Sequence, residues 1–190
     1  SIAYVQSTDS GISFSTTGMG TVKYVGGKES SGAADAHGAP IVFNTGDKIV
    51  VVASAGIGLS SGVYNGTDKV SKLEYSVANI ENGKVGEFSA WKEITKPTTM
   101  GGYTQFGTHS ARGTVVNGTL LLPVTLANYE QSPSKFGYVL YTGTVGNNNE
   151  VTWTATMKRV DMPNSSGVVK ETRIPKGTSA DDYVYLAVSS

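Results

Sequence analysis

Glu171, Arg112, Gln105 and Tyr64 are the residues of this chain whose types and surroundings can do chemistry. Arg112 begins a strand that runs on through Gly113 to Val116. A guanidinium there can hold a carboxylate through two parallel hydrogen bonds, and so bind an anionic sugar. The competing reading is an ordinary surface arginine. Tyr64 sits in a long polar loop from Gly58 to Asp68. An aromatic ring in such a loop can cover the apolar face of a pyranose, or it can simply belong to a loop tip beside Gly62 and Asn65. Gln105 can offer its amide to a ligand or serve its own loop. Glu171 lies in a strand-like run, and a shift of one residue in register would turn its carboxylate from one face to the other. Asp35 and His37 precede another strand and can edge a pocket. No partner for the imidazole is readable, so His37 is expected to be a hydrogen-bonded surface residue.

Other chemistries find no support. Asp181 and Asp182 read as turn residues rather than metal ligands. No carboxylate cluster has calcium-loop spacing, and neither a phosphate-binding glycine loop nor a G-x-S-x-G elbow occurs. There is no cysteine, which removes disulfides and thiolate metal sites. No metal or cofactor is therefore expected. Asn65-Gly66-Thr67, Asn117-Gly118-Thr119 and Asn164-Ser165-Ser166 are formal glycosylation sequons, and two of them double as turns.

Strands must position these residues. The 190 residues include 24 glycines, only 16% are charged, and the formal net charge is zero. Such a chain suits many short strands joined by tight turns and has no global field to attract nucleic acid or an anionic membrane. No apolar run is long enough to span a bilayer. The first residues, Ser1 to Gln6, read as the middle of a strand, so the chain is expected to be cut from something larger. Three strand–turn–strand signals stand out. Ile41 to Phe43 pairs with Ile49 to Ala53 across Asn44 to Asp47. Thr114 to Val116 pairs with Leu120 to Val124 across Asn117-Gly118. Val168 to Ile174 pairs with Tyr183 to Val188. Third strands are expected at Lys72 to Val77 and Phe136 to Thr142, and fourth strands around Trp91 and Trp153. The unit of four strands repeats at roughly 60 to 75 residues. This divides the chain into the end of one unit (1–25), two whole units (26–96 and 97–160) and an opening hairpin (161–190).

Ser7-Thr8-Asp9-Ser10-Gly11-Ile12-Ser13-Phe14 fits the pattern S-x-D-x-G-x-[ST]-[WF]. In such a turn the aspartate can accept backbone N–H groups, the glycine permits positive φ, and the aromatic is expected to pack between units. The motif resembles the Asp-box of the sialidase and trans-sialidase superfamily. Gly102 to Gly107 and Gly113 to Val124 are similar to the family stretch with N-Q-F, a glycine-rich strand, N-G and a short run ending P-V. The resemblance spans nearly the whole chain as a middle section of that fold. It implies an all-β, six-bladed β-propeller, of which this chain supplies about three and a half four-stranded blades. It also implies an axial site where three arginines hold the sialic acid carboxylate, an aspartate acts as acid/base, and a glutamate activates a tyrosine nucleophile.

On this resemblance Glu171 is the tyrosine-activating carboxylate, or else a solvent-facing strand residue. Arg112, Gln105 and Tyr64 are the sugar-binding candidates. Several matches fail. The family's second arginine should fall near Ser189 or Ser190, its glutamate aligns nearer Gly167 than Glu171, and the aspartate of its D-P pair is Ala39. Arg173-Ile174-Pro175 copies a family R-I-P motif in the wrong strand context. The acid/base aspartate, the first and third arginines and the tyrosine are expected outside this chain. The resemblance thus implies part of an exo-sialidase or trans-sialidase acting on sialylated glycans or glycoproteins, secreted or at the cell surface. It also implies a companion polypeptide that completes the ring. The alternative is a catalytically degenerate propeller that binds glycans or proteins.

Overall fold

The structure is a computed structural model. It describes residues 1–7, 9–10, 12, 14, 23–29, 35–59, 71–96, 102–108, 111–130, 135–155, 160–162, 168–171 and 186–189. Within these the chain is all-β, and none forms an α-helix. β1 (Ala3–Tyr4) pairs with β2 (Lys23–Tyr24). A first sheet follows, from β3 (His37–Asn44), β4 (Lys48–Gly56), β5 (Ser71–Glu81), β6 (Lys84–Val85) and β7 (Lys92–Glu93). β3, β4, β5 and β7 form an antiparallel meander of four strands. The connector strands β8 (Gln105–Gly107) and β9 (Ala111–Arg112) lead to a second meander of four strands. Its members are β10 (Thr114–Val116), β11 (Thr119–Asn128), β12 (Lys135–Val145) and β13 (Val151–Ala155). β14 (Val160–Met162) adds to β12, and β15 (Val168–Glu171) pairs with β16 (Leu186–Ser189).

Turn chemistry sets these registers. Asn117 and Gly118 both have positive φ, 48° and 78°, and they join Val116 to Thr119 directly. Two such residues match the right-handed twist of the strands they connect. In the β3–β4 hairpin the Asn44 carboxamide accepts the Gly46 N–H at 2.8 Å, and the Thr45 hydroxyl donates to the Asp47 carboxylate at 2.7 Å. The register then slips between Gly38 and Ile41, at a bulge where Ala39 takes φ of 50°.

Period-two alternation divides each strand between two faces. From the first sheet Ile41, Phe43, Val50, Val52, Leu73, Tyr75 and Val77 face the second. Leu120, Leu122, Val124, Leu126, Val139 and Tyr141 meet them in one dry cluster. Trp153 joins this cluster beside Phe43 and Tyr75. Val51 and Ala78 point the other way, toward Val25 and Phe88, with Ile2, Tyr4 and Trp91 around them. The β1–β2 pair, the first sheet and the second sheet therefore stack in chain order, and β15 lies against β11.

One expectation fails. Phe14 does not pack between units but is 52% exposed, and its neighbour Ile12 is 87% exposed. The space is already filled, because Tyr4 meets Phe88 edge-on with ring centroids 5.1 Å apart. The Ser7–Phe14 motif still turns at Asp9. Ser7 donates its hydroxyl to the Asp9 carboxylate at 2.5 Å, and the Ile12 N–H reaches the Asp9 carbonyl at 3.3 Å.

Candidate functional site

The connector 105–113 ties the two sheets together. It crosses one end of the first sheet, from the start of β5 over the end of β4 to β3. The Ser71 hydroxyl donates to the Phe106 carbonyl at 2.6 Å and accepts the Phe106 N–H at 3.1 Å. Ser54 Oγ accepts the Thr108 N–H at 2.8 Å, and the Thr108 hydroxyl donates to the Ala39 carbonyl at 2.8 Å. These three buried hydroxyls complete backbone hydrogen bonding where no ladder can reach. Their lone pairs and protons are committed, so they do not read as nucleophiles.

Ala111 to Gly113 run beside β3. Ala111 and Arg112 pair with Ile41 and Val42 in parallel, and the Gly113 N–H reaches the Val42 carbonyl at 2.8 Å. A Cβ at Gly113 would collide with the Phe43 ring and lie 2.7 Å from the Val42 carbonyl oxygen. Glycine is what lets the first strands of the two meanders approach this closely.

The candidate residues distribute as follows. Arg112 stands on β9, alongside β3. Gln105 stands on β8 opposite Ala127 and is buried, so it belongs to a paired strand rather than a loop. Both lie on the one connector. The Lys96 ammonium sits 5.4 Å from the centroid of the Phe106 ring, which adds a cation near this end. Glu171 is the last residue of β15, opposite Leu186. Tyr64, Arg173, Asp181, Asp182, Asn65 and Asn164 lie outside the described residues. Among the described residues no group of three His, Asp or Glu side chains could hold a metal ion.

A further constellation at this end escaped sequence reasoning. The His37 imidazole is 6% exposed, not a surface group, and it has a partner in Glu74, whose side chain is 19% exposed. Nε2 lies 2.6 Å from Glu74 Oε2, and Nδ1 lies 2.8 Å from the Asp35 carbonyl oxygen. Trp91 stacks on the imidazole, with centroids 4.1 Å apart and planes within 10°. His37 pairs with Ala55 and Glu74 with Ala53 across the intervening β4, so the two are diagonal neighbours on one face. The period-two pattern of β5 was a usable signal for Glu74. The bulge at Ala39 hid the face of His37. The turn at Asp9 is remote from this end, because Gln6 beside it bonds Gly83 and Val85 at the other end of the first sheet.

No protein-family model matches this sequence, and no curated protein matches it.

Proposed function

We propose that this chain is a section of a sialidase-like propeller, part of an exo-sialidase or trans-sialidase that takes terminal sialic acids of glycoconjugates. The observation that carries this reading is the parallel alignment of β3 with β9 at the head of two successive four-stranded meanders. Blades set around one axis place their first strands side by side in the same direction. Arg112 is on that strand, where a guanidinium fork would meet the substrate carboxylate. Glu171 would activate a tyrosine nucleophile supplied by the rest of the ring, and Gln105 and Tyr64 would line the sugar. A companion polypeptide would provide the remaining blades, and the protein would act outside the cell or on its surface.

A second reading is favoured by Ala39. At the family's D-P position this residue has no carboxylate, and its carbonyl is used to hold Thr108. On that reading the propeller binds sialylated glycans or proteins without cleaving them.

The test combines binding and turnover. Native mass spectrometry first defines the complete assembly. Sialyllactose and lactose are then titrated into it by calorimetry, and a fluorogenic sialoside is assayed for release. Binding of sialyllactose alone, lost in Arg112→Ala, supports sialic acid recognition. Turnover lost in Glu171→Gln assigns the hydrolase, and binding without turnover assigns the second reading. Equal affinity for both sugars, or none, rejects the proposal.

A further inference from the structure

We infer that His37, Glu74 and Trp91 form a protonation-dependent clasp, which holds the segment 23–29 against the first sheet. Donor and acceptor roles fix its closed state. The Asp35 carbonyl can only accept, so Nδ1 must carry a proton to bond it at 2.8 Å. An ionised Glu74 carboxylate can only accept, so Nε2 must carry one as well at 2.6 Å. The ring that satisfies both is an imidazolium, and its stack on the Trp91 indole is a cation on an aromatic face. Trp91 in turn rests over Gly26, where any Cβ would collide with the indole. Gly26 follows Val25, whose N–H donates to the Ile2 carbonyl at 2.9 Å. A chain of direct contacts thus runs from the imidazole to the β1–β2 pair.

Removing one proton breaks this arrangement whichever tautomer forms. A proton kept on Nδ1 leaves the Nε2 lone pair facing the Glu74 carboxylate. A proton kept on Nε2 leaves the Nδ1 lone pair facing the Asp35 carbonyl. Moving the Nε2 proton onto Glu74 keeps both bonds but takes the cation off the Trp91 face, and a further proton on Glu74 beside an imidazolium opposes two donors. The closed clasp is the charged form, His37 doubly protonated beside an ionised Glu74, and loss of one proton from the pair opens it. Surrounding charges do not replace either partner. Lys72 and Glu93, on β5 and β7, pair with each other at 3.3 Å and are largely exposed. On β4 the facing residues are Ala53 and Ala55. On the segment 23–29 the charged residues are Lys23, Lys28 and Glu29, and Glu29 hydrogen-bonds the Tyr24 hydroxyl. The Asp35 carboxyl belongs to the residue whose carbonyl already holds the ring.

The test uses the full chain labelled with ¹⁵N. Imidazole nitrogen shifts report the protons on His37, and His109→Gln assigns the two histidines. Hydrogen exchange is followed at the Val25 amide, with the Ile94 amide bonded to Leu73 as an internal reference. The pH is raised from about 5, through the range where imidazoles titrate, until His37 loses a proton. The expected result is two protonated nitrogens at the start. At that same pH the Val25 protection factor should then fall about tenfold relative to Ile94, the loss of one charge-assisted hydrogen bond. His37→Gln should show no such step. A single protonated nitrogen throughout overturns the clasp, as does steady Val25 protection while His37 titrates. A His37 that keeps both protons until global unfolding overturns it too. The wild-type readouts decide the matter even if His37→Gln does not fold.

Discussion

At the scale of single residues, several buried polar groups meet a backbone partner, whereas the buried Trp153 indole N–H has none among the described residues. Tyr141 is 2% exposed, and its hydroxyl donates to the Thr95 carbonyl at 3.0 Å. Burial pushes its phenol from 10.0 up to about 12. The folded state therefore holds this proton more tightly than the unfolded chain does. The stabilisation is complete below pH 10.0 and is lost as the pH climbs toward about 12. Denaturant midpoints at about pH 9 and about pH 11 should differ in the wild type, and Tyr141→Phe should shrink that difference. Ala39 makes a second residue-scale case. Its φ of 50° is a region that costs an L-residue about 1 kcal/mol, while glycine in a strand ordinarily costs about as much relative to alanine. The two should cancel, so Ala39→Gly should leave the unfolding free energy within about 0.5 kcal/mol of wild type by urea titration.

At the scale of elements, the connector 105–113 decides how the two meanders meet. It contributes few ladder bonds and depends on buried hydroxyls and one close approach. Gly113→Ala would drive a Cβ into the Phe43 ring and the Val42 carbonyl, both of which are fixed by the pairing of β3 with β4. The expected cost is about 3 kcal/mol in chemical denaturation, at the upper end for overpacking. Gly38→Ala is the control, since nothing lies within 4 Å of its Cβ position. Sequence reading anticipated the hairpins well, because Asn117-Gly118 and the Asn44 to Asp47 turn carry their geometry in local chemistry. It also placed β5, β12 and β13, whose alternation survives in single strands. It did not anticipate the long-range pairings of β8 and β9. Their partners, Ala127 and Val42, are distant in sequence, and two or three residues are too few to show a period. The His37–Glu74 contact was hidden for a related reason, since the one extra residue of the bulge between Gly38 and Ile41 reverses the face that alternation predicts. Phe14 misled because a motif states the shape of a turn and says nothing about which aromatic reaches the interface first.

At the scale of the whole molecule, successive sheets are held face to face by apolar side chains, with a few polar ties at the rim. Lys92 on β7 reaches Glu150 at 2.9 Å, and the Lys48 ammonium donates to Asn79 at 2.9 Å and to Asn149 at 2.7 Å. The hydrogen bond from Lys92, together with its charge, lowers the pKa of the Glu150 carboxyl. Any stability from that pair is therefore present above the unfolded carboxylate range and fades as pH falls through the lowered one. Both side chains are open to solvent, which screens the attraction. Leu122 differs in kind, being fully buried in the cluster between the sheets. Leu122→Ala removes apolar contacts and leaves a cavity that rigid strands on both sides cannot close, at a cost of about 2 to 5 kcal/mol. Glu150→Gln should leave the urea midpoint at neutral pH nearly where it was. Measured side by side, a large loss at Leu122 and a negligible one at Glu150 would place the cohesion of successive sheets in their dry interface. Comparable losses at the two positions would instead mean that the polar rim holds the sheets together, and that the stack depends on salt as well as on packing.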